Sequence, residues 1–118
     1  MPEKTWVDAM ACEDVEGDFP EAITLNGRYL AVYRCGERFY ATGGLCTHEG
    51  AKLCDGYLDG EVIECPLHQA RFNIVTGEVL SPPATESLTV YPVQVRDGRI
   101  FVQLDAGGRV EDENTSLR

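Results

Sequence analysis

The alternation of apolar and polar residues predicts a chain built from short β-strands. Runs rich in branched and aromatic residues, bounded by glycine, asparagine or aspartate, are typical of strands joined by tight turns. No window shows a helical period over three turns, so no long helix is predicted. Seven runs are predicted to be strands: 28–34, 38–42, 61–65, 71–75, 78–80, 88–95 and 99–104.

Turn signals fall between these runs at regular spacing. Asp97-Gly98 suits a tight turn that needs positive φ. Many short strands with regularly spaced turns indicate an all-β, antiparallel sandwich or barrel-like fold. The other turn signals are Asn26-Gly27, Asp55-Gly56, Asp59-Gly60 and Thr76-Gly77.

The length of 118 residues is that of one domain. We expect this domain to span residues 1–104, and the acidic tail 105–118, which loses the apolar pattern, to fray. No apolar run is long enough to cross a bilayer, and the first residues are acidic where a secretory signal would be basic. A cytoplasmic protein is expected.

The chain is strongly acidic, with 20 acidic against 10 basic residues and a formal net charge of −10. Nucleic acid and anionic membranes would repel such a protein, so neither is an expected partner. Basic patches on partner proteins would attract it and speed short-lived encounters. No long exposed apolar strand suggests an obligate interface, so we expect a monomer.

Five cysteines cannot all pair with one another, and clustered cysteines in a cytosolic chain are more typical of metal ligands than of disulfides. Cys12, Cys35 and Cys54 have no histidine or cysteine within three positions. For these three, the prediction is that they are small buried hydrophobes.

The other two cysteines stand beside the two histidines of the chain. Cys46-Thr47-His48 is followed, after sixteen residues, by Cys65-Pro66-Leu67-His68. Both pairs follow strand-like segments, so two thiolates and two imidazoles could converge. That set of ligands suits a tetrahedral zinc ion or a [2Fe–2S] cluster with two histidines on one iron. The short C-x-H spacing favours iron, because structural zinc motifs usually separate paired ligands by about two to four residues.

The two motifs together resemble the cluster-binding signature of Rieske [2Fe–2S] proteins. Residues 4 to 104 resemble the small Rieske ferredoxins of bacterial aromatic ring-hydroxylating dioxygenase systems, such as those acting with naphthalene and biphenyl dioxygenases. The resemblance implies three stacked antiparallel sheets, with a small cluster-binding subdomain at about 43–84. It implies that Cys46 and Cys65 bind one iron of a single cluster, while His48 and His68 bind the other. The segment 80–87 resembles the proline-containing third loop that covers the cluster in this family.

The respiratory Rieske proteins differ from this chain at four positions. Their two loops carry extra cysteines that form a disulfide, where this chain has Ala51 and Leu67. They also donate hydrogen bonds to the cluster from a serine and a tyrosine, where this chain has Ala70 and Phe72. Such donors stabilise the reduced cluster. We therefore expect a low reduction potential, near the bottom of the Rieske range at about −150 mV.

The function implied by the resemblance is electron transfer and not catalysis. The chain would carry single electrons from an NAD(P)H-dependent flavoprotein reductase to a terminal oxygenase. It has no glycine-rich dinucleotide fingerprint, so hydride chemistry and substrate oxidation would take place on other polypeptides. Three alternatives remain open: a structural zinc module, a small subunit of an assimilatory nitrite reductase, and a carrier serving a different monooxygenase or hydroxylase.

Overall fold

The structure is a computed structural model that describes residues 6–17, 19–47, 50–66, 69–81 and 86–104. These segments form eleven strands and two short 3-10 helices, at Cys12–Asp14 and Leu53–Asp55. The strands are β1 (Trp6–Ala11), β2 (Glu21–Leu25), β3 (Arg28–Cys35), β4 (Arg38–Gly43), β5 (Tyr57–Asp59), β6 (Val62–Glu64), β7 (Arg71–Asn73), β8 (Val79–Ser81), β9 (Val90–Tyr91), β10 (Val93–Arg96) and β11 (Arg99–Gln103). Among the described residues, no helix is long and apolar enough to cross a membrane.

The strands form three antiparallel sheets. The first has the order β1-β11-β10, the second β2-β3-β4-β9 and the third β5-β6-β7-β8. This arrangement confirms the predicted all-β class with three antiparallel sheets. The tail 105–118 lies outside the described residues.

Strand β3 explains how the sheets stack. Its central residues 30–33 are buried in an unbroken run, although successive side chains in a strand point to opposite faces. Leu30 and Val32 pack with the first sheet, in a core that we call the base core. Ala31 and Tyr33 pack with the third sheet, in a core that we call the cysteine core because it contains Cys46 and Cys65. The second sheet is therefore the middle layer.

The members of each core come from several elements. The base core consists of Val15, Leu25, Leu30, Val32, Ala41, Ile100, Val102 and Leu104. The cysteine core consists of Ala31, Tyr33, Cys46, Leu53, Ile63, Cys65, Ala70, Phe72, Ile74 and Leu88.

The predicted strand 88–95 is wrong as a single element. Its residues form β9, which pairs with β4 in the second sheet, and β10, which pairs with β11 in the first. Pro92 lies between them; it has no N–H for a ladder, and its carbonyl accepts a hydrogen bond from Gln103 N at 3.0 Å. The chain thus changes sheets at the proline.

Three strands, β1, β2 and β5, lie outside the predicted runs. Strand β1 has six residues, β2 has five, and β5 has three between two Asp-Gly pairs. In none of the three do apolar and polar residues alternate regularly along the strand. Two tight turns are easier to recognise from the sequence: Asn26 and Gly27 have φ of 50° and 84°, and Asp97 and Gly98 have 53° and 76°. The predicted positive φ at Asp97-Gly98 is confirmed.

The turn between β7 and β8 depends on the side chain of Asn73. Its Oδ1 accepts hydrogen bonds from Val75 N at 2.8 Å and Thr76 N at 3.1 Å. Aspartate could accept both bonds, whereas alanine could accept neither.

We expect Asn73→Ala to lower the free energy of unfolding by about 1 kcal/mol, because a net hydrogen bond is worth roughly that amount. Urea unfolding followed by circular dichroism would measure the change. Asn73→Asp, the matched control, should unfold at the wild-type midpoint. Equal midpoints for all three proteins would show that the side chain does not hold this turn.

Candidate metal centre

Two cysteine side chains are buried in the same core. Cys46 is 3% exposed and Cys65 is 1% exposed. Cys46 lies just after the second sheet, in the loop that follows β4, and Cys65 follows β6 of the third sheet. The structure describes all five cysteines of the chain, and none is in a disulfide.

The two cysteines begin loops that close in the same way. Cys46 N donates to Ala51 O at 2.7 Å, and Cys65 N donates to Ala70 O at 2.7 Å. In each loop the acceptor is therefore the residue five positions further along the chain. The bridge between Leu45 and Lys52 extends the closure of the first loop, and the pairing of Ile63 with Phe72 extends that of the second. Each Cys/His motif thus lies in a loop whose two ends are tied together.

The structure leaves part of each loop undescribed. His48 and Glu49 of the first loop, and Leu67 and His68 of the second, lie outside the described residues, as do residues 82–85. The structure therefore places Cys46 and Cys65 in one core, while the assignment of His48 and His68 remains a prediction.

The described residues that share a core with the two cysteines are mostly apolar. Ala70 and Phe72, the positions that lack a hydroxyl, are both fully buried in the cysteine core. Tyr33 brings a hydroxyl into this core, but that group is paired with Thr42 Oγ1 at 2.9 Å. Burial raises the pKa of Tyr33 well above its usual value, so the phenol stays protonated. None of these three side chains therefore offers an unpaired hydroxyl to a cysteine sulfur.

This donor set fits a metal cofactor. A thiolate buried among apolar groups is costly unless a cation compensates its charge, and metal binding supplies such a cation. Two cysteines buried in one core, with no disulfide, are therefore suited to thiolate ligation of iron or zinc.

A short segment before β9 is hydrogen-bonded to the first cysteine loop and to the end of β4. We call residues 86–89 the strap. Thr47 Oγ1 donates to Glu86 O at 2.7 Å, and Gly43 N donates to Thr89 O at 2.8 Å. Leu88, which is 1% exposed in the cysteine core, donates its N–H to Gly77 O at 2.8 Å.

Thr47 and Gly77 were missed as positioning residues by sequence reasoning. Gly77 has a φ of +83°, and a Cβ there would clash with the carbonyl oxygen of Leu88. The turn signal at Thr76-Gly77 was recognised in the sequence, but nothing in the sequence indicates the close approach to the strap. Thr47 stands between two predicted ligands, which is a signal that could have drawn attention to it.

The prediction for the other three cysteines is wrong about burial. Cys12, Cys35 and Cys54 are all half-buried. Cys35 Sγ lies 3.0 Å from Gly60 O. The pKa of the Cys35 thiol is raised mainly by burial and to a smaller extent by the negative charge of Glu61. Cys54 Sγ lies 3.7 Å from the hydroxyl of Tyr29, whose pKa is raised to about 12, mainly by burial. Cys35 packs at the edge of the cysteine core and Cys12 at the edge of the base core.

The match to a known family decides which kind of site this is. The family model for the Rieske [2Fe–2S] domain matches residues 5–92. The chain belongs to the Rieske [2Fe–2S] domain family. A Rieske domain carries a single [2Fe–2S] cluster, so the two buried cysteines lie in an iron–sulfur protein and not in a zinc module.

Individual Rieske proteins match over most of their length. The ferredoxin component of the naphthalene 1,2-dioxygenase system of Pseudomonas putida is 44% identical over 100 residues, which are 84% of this chain and 95% of the relative. The Sphingomonas yanoikuyae B1 ferredoxin superimposes with a TM-score of 0.81 at 34% identity, covering 84% of this chain and 98% of that one. The neighbour in the complex of reduced oxygenase and oxidized ferredoxin in carbazole 1,9a-dioxygenase has a TM-score of 0.79 at 41% identity, covering 86% and 94%. The predicted Rieske fold and the predicted resemblance to dioxygenase ferredoxins are confirmed.

Proposed function

We propose that this chain is the ferredoxin component of an aromatic ring-hydroxylating dioxygenase system. It carries single electrons from an NAD(P)H-dependent flavoprotein reductase to a terminal oxygenase. The observation that carries the proposal is the match, over nearly the whole relative, to a ferredoxin component of the naphthalene 1,2-dioxygenase system. The structural neighbour in a complex with an oxygenase supports the same direction of transfer. The chain is an electron carrier and not an enzyme.

We assign the cluster to four ligands. Cys46 and Cys65 would hold one iron, and His48 and His68 the other. The burial of both cysteines in one core and the matching closure of their loops support this assignment. When bound, a [2Fe–2S] cluster takes up and gives back one electron at a time. The chain supplies the thiolates, the closed loops and the apolar surroundings that keep water away from them.

The apolar surroundings also favour a low reduction potential. An added electron increases the negative charge of the site, and a hydroxyl donor to sulfur would stabilise that charge. Ala70 and Phe72 supply no such donor. We propose a potential near the low end of the Rieske range, about −150 mV, which suits electrons that come from a flavoprotein.

We further propose that the protein works as a monomer in the cytoplasm. All five cysteines are outside disulfides, which is typical of a reducing compartment. The proposed boundaries are a Rieske domain over 1–104, a cluster-binding subdomain at about 43–84 and a separate tail over 105–118. The third sheet, at 57–81, falls within that proposed subdomain.

Reconstitution with heterologous partners would test the function. The purified holoprotein replaces the native ferredoxin in a mixture of the reductase and oxygenase of the Pseudomonas putida naphthalene system, with NADH and naphthalene. Oxygenated naphthalene that forms only when the chain is added would support the proposal. If the reductase does not reduce the holoprotein and the oxygenase does not oxidise it, the experiment is repeated with monooxygenases or hydroxylases in place of the dioxygenase. Those assays test the alternative carrier function.

Electron transfer should depend strongly on salt, because the net charge of −10 steers the protein toward basic surfaces. Stopped-flow reduction by the reductase should slow by at least roughly tenfold between low and high ionic strength, as steered associations do. Potassium chloride and sodium sulfate, matched for ionic strength, should slow the reduction by the same factor. A rate that is independent of salt would mean that the acidic surface does not guide docking.

A further inference from the structure

Three hydrogen bonds within the described part of the chain join the strap to three different parts of the molecule. Gly43 at the end of β4 binds Thr89, Gly77 in the turn after β7 binds Leu88, and Thr47 in the first cysteine loop binds Glu86. Two of these are backbone bonds. The third, at 2.7 Å, comes from a side chain and joins residues 39 positions apart in the sequence.

Thr47 connects the first loop to the strap, whereas Cys46, Gly50 and Ala51 bond to one another within the loop. The backbone of the first loop closes on itself through Cys46, Gly50 and Ala51. The Thr47 hydroxyl reaches out of the loop to a segment that is anchored independently, since Leu88 is buried in the cysteine core and bonded to Gly77. Removing this hydroxyl would leave the loop closed and would take away its hydrogen bond to Glu86 of the strap.

Thr47 also lies between the two residues of the first motif. Cys46 and His48 are its direct neighbours in the chain. Any rotation of the loop backbone at residue 47 changes the relative direction of both neighbouring side chains. A tether at this position limits such rotation more directly than a tether elsewhere in the loop.

We propose that Thr47 is a positioning residue for electron transfer, whose hydroxyl ties the first cysteine loop to the strap. The proposal rests on the proposed function, because it takes Cys46 and His48 as ligands of the cluster. Without the tether, the strap separates from the first loop more often and the backbone on either side of Thr47 is held less firmly. Because the groups around a metal site tune its reduction potential, the potential shifts from the wild-type value.

Thr47→Val tests the tether, because valine keeps the branched shape and lacks the hydroxyl. Hydrogen exchange of the holoprotein, followed by mass spectrometry over residues 86–92, should become roughly two- to tenfold faster, the factor that corresponds to one net hydrogen bond. A redox titration of the same samples should give a potential shifted from that of the wild type. Thr47→Ser should restore both values toward wild type, since serine keeps the donor.

A control separates the tether from a general loss of stability. Thr24 is exposed on β2 and makes no side-chain hydrogen bond within the described part of the chain, so Thr24→Val should leave both exchange and potential unchanged. If Thr47→Val does not fold, Thr47→Ala removes the same donor with less bulk. If the variant that lacks the hydroxyl has the exchange rate and the potential of the wild type, the proposal is overturned. The proposal is also overturned if Thr47→Ser shows shifts as large as those of Thr47→Val.

The two proposals can fail separately. A wild-type protein that contains no iron or sulfide would refute the proposed function. The exchange comparison measures the tether itself, so it would still show whether Thr47 holds the strap. If the wild type contains the cluster but Thr47→Val changes neither the hydrogen exchange nor the potential, only the proposal about the tether is refuted.

Discussion

Cys65→Ala is expected to abolish cluster binding. The substitution removes one of the two thiolates that we assign to the same iron, at a position where Cys65 is 1% exposed. Iron and acid-labile sulfide should fall from about one cluster per chain to background. The rhombic electron paramagnetic resonance signal of the dithionite-reduced protein should disappear. Because cofactor binding contributes to folding, the variant should also melt at a lower temperature.

Cys54→Ser provides the matched control. Cys54 is half-buried and lies outside the two motifs, and serine can keep a polar contact with the hydroxyl of Tyr29. This variant should keep its iron, its sulfide and its spectrum. A Cys65→Ala protein that retains a full cluster would refute the assignment of Cys65. Loss of the cluster in Cys54→Ser instead would point to a different set of ligands.

Ala70→Ser combined with Phe72→Tyr is expected to raise the reduction potential. Both positions are fully buried in the core that contains Cys46 and Cys65, and Ala70 is bonded through its carbonyl to Cys65 N at 2.7 Å. Hydroxyls placed there can donate to sulfur and stabilise the added electron. The potential should rise from the low end toward the upper part of the Rieske range, which extends from about −150 to +300 mV. A redox titration followed by circular dichroism would measure it.

The matched control adds a hydroxyl to the other core. Val102→Thr has nearly the same shape as the parent side chain but lies in the base core, which does not contain Cys46 or Cys65. It should lower stability, since a buried hydroxyl without a partner costs about 1–3 kcal/mol, and it should leave the potential unchanged. A folded double variant with the wild-type potential would show that donors at residues 70 and 72 do not reach the site.

The sequence allowed the local features of this fold to be predicted. Positive φ at Asp97 and Gly98 follows from the residues themselves, because few other residues tolerate that backbone conformation. The motifs at Cys46 and Cys65 could likewise be recognised by their ligand types and spacing. The burial of both cysteines agrees with that interpretation.

Features that depend on distant parts of the chain could not be predicted. The change of sheets at Pro92 depends on β4 and β11, which offer two different edges to neighbouring strands. The bond from Thr47 to Glu86 joins positions 39 residues apart, and neither residue carries a local signal for it. Half-burial of Cys12 and Cys35 is equally a property of packing, since the residue type alone favours the interior.

The pairing of β4 with β9 has a consequence for how this protein can change during evolution. Thr42 faces Val90 across the ladder, and Gly43 N is bonded to Thr89 O at 2.8 Å, so residues 44–88 leave and re-enter the second sheet at almost the same point. A segment whose two ends already meet can grow or shrink without pulling the host strands apart, because lengthening a closed loop adds little entropy cost. The second sheet could therefore accept a different insert between Gly43 and Thr89, provided that the insert also covers Ala31 and Tyr33.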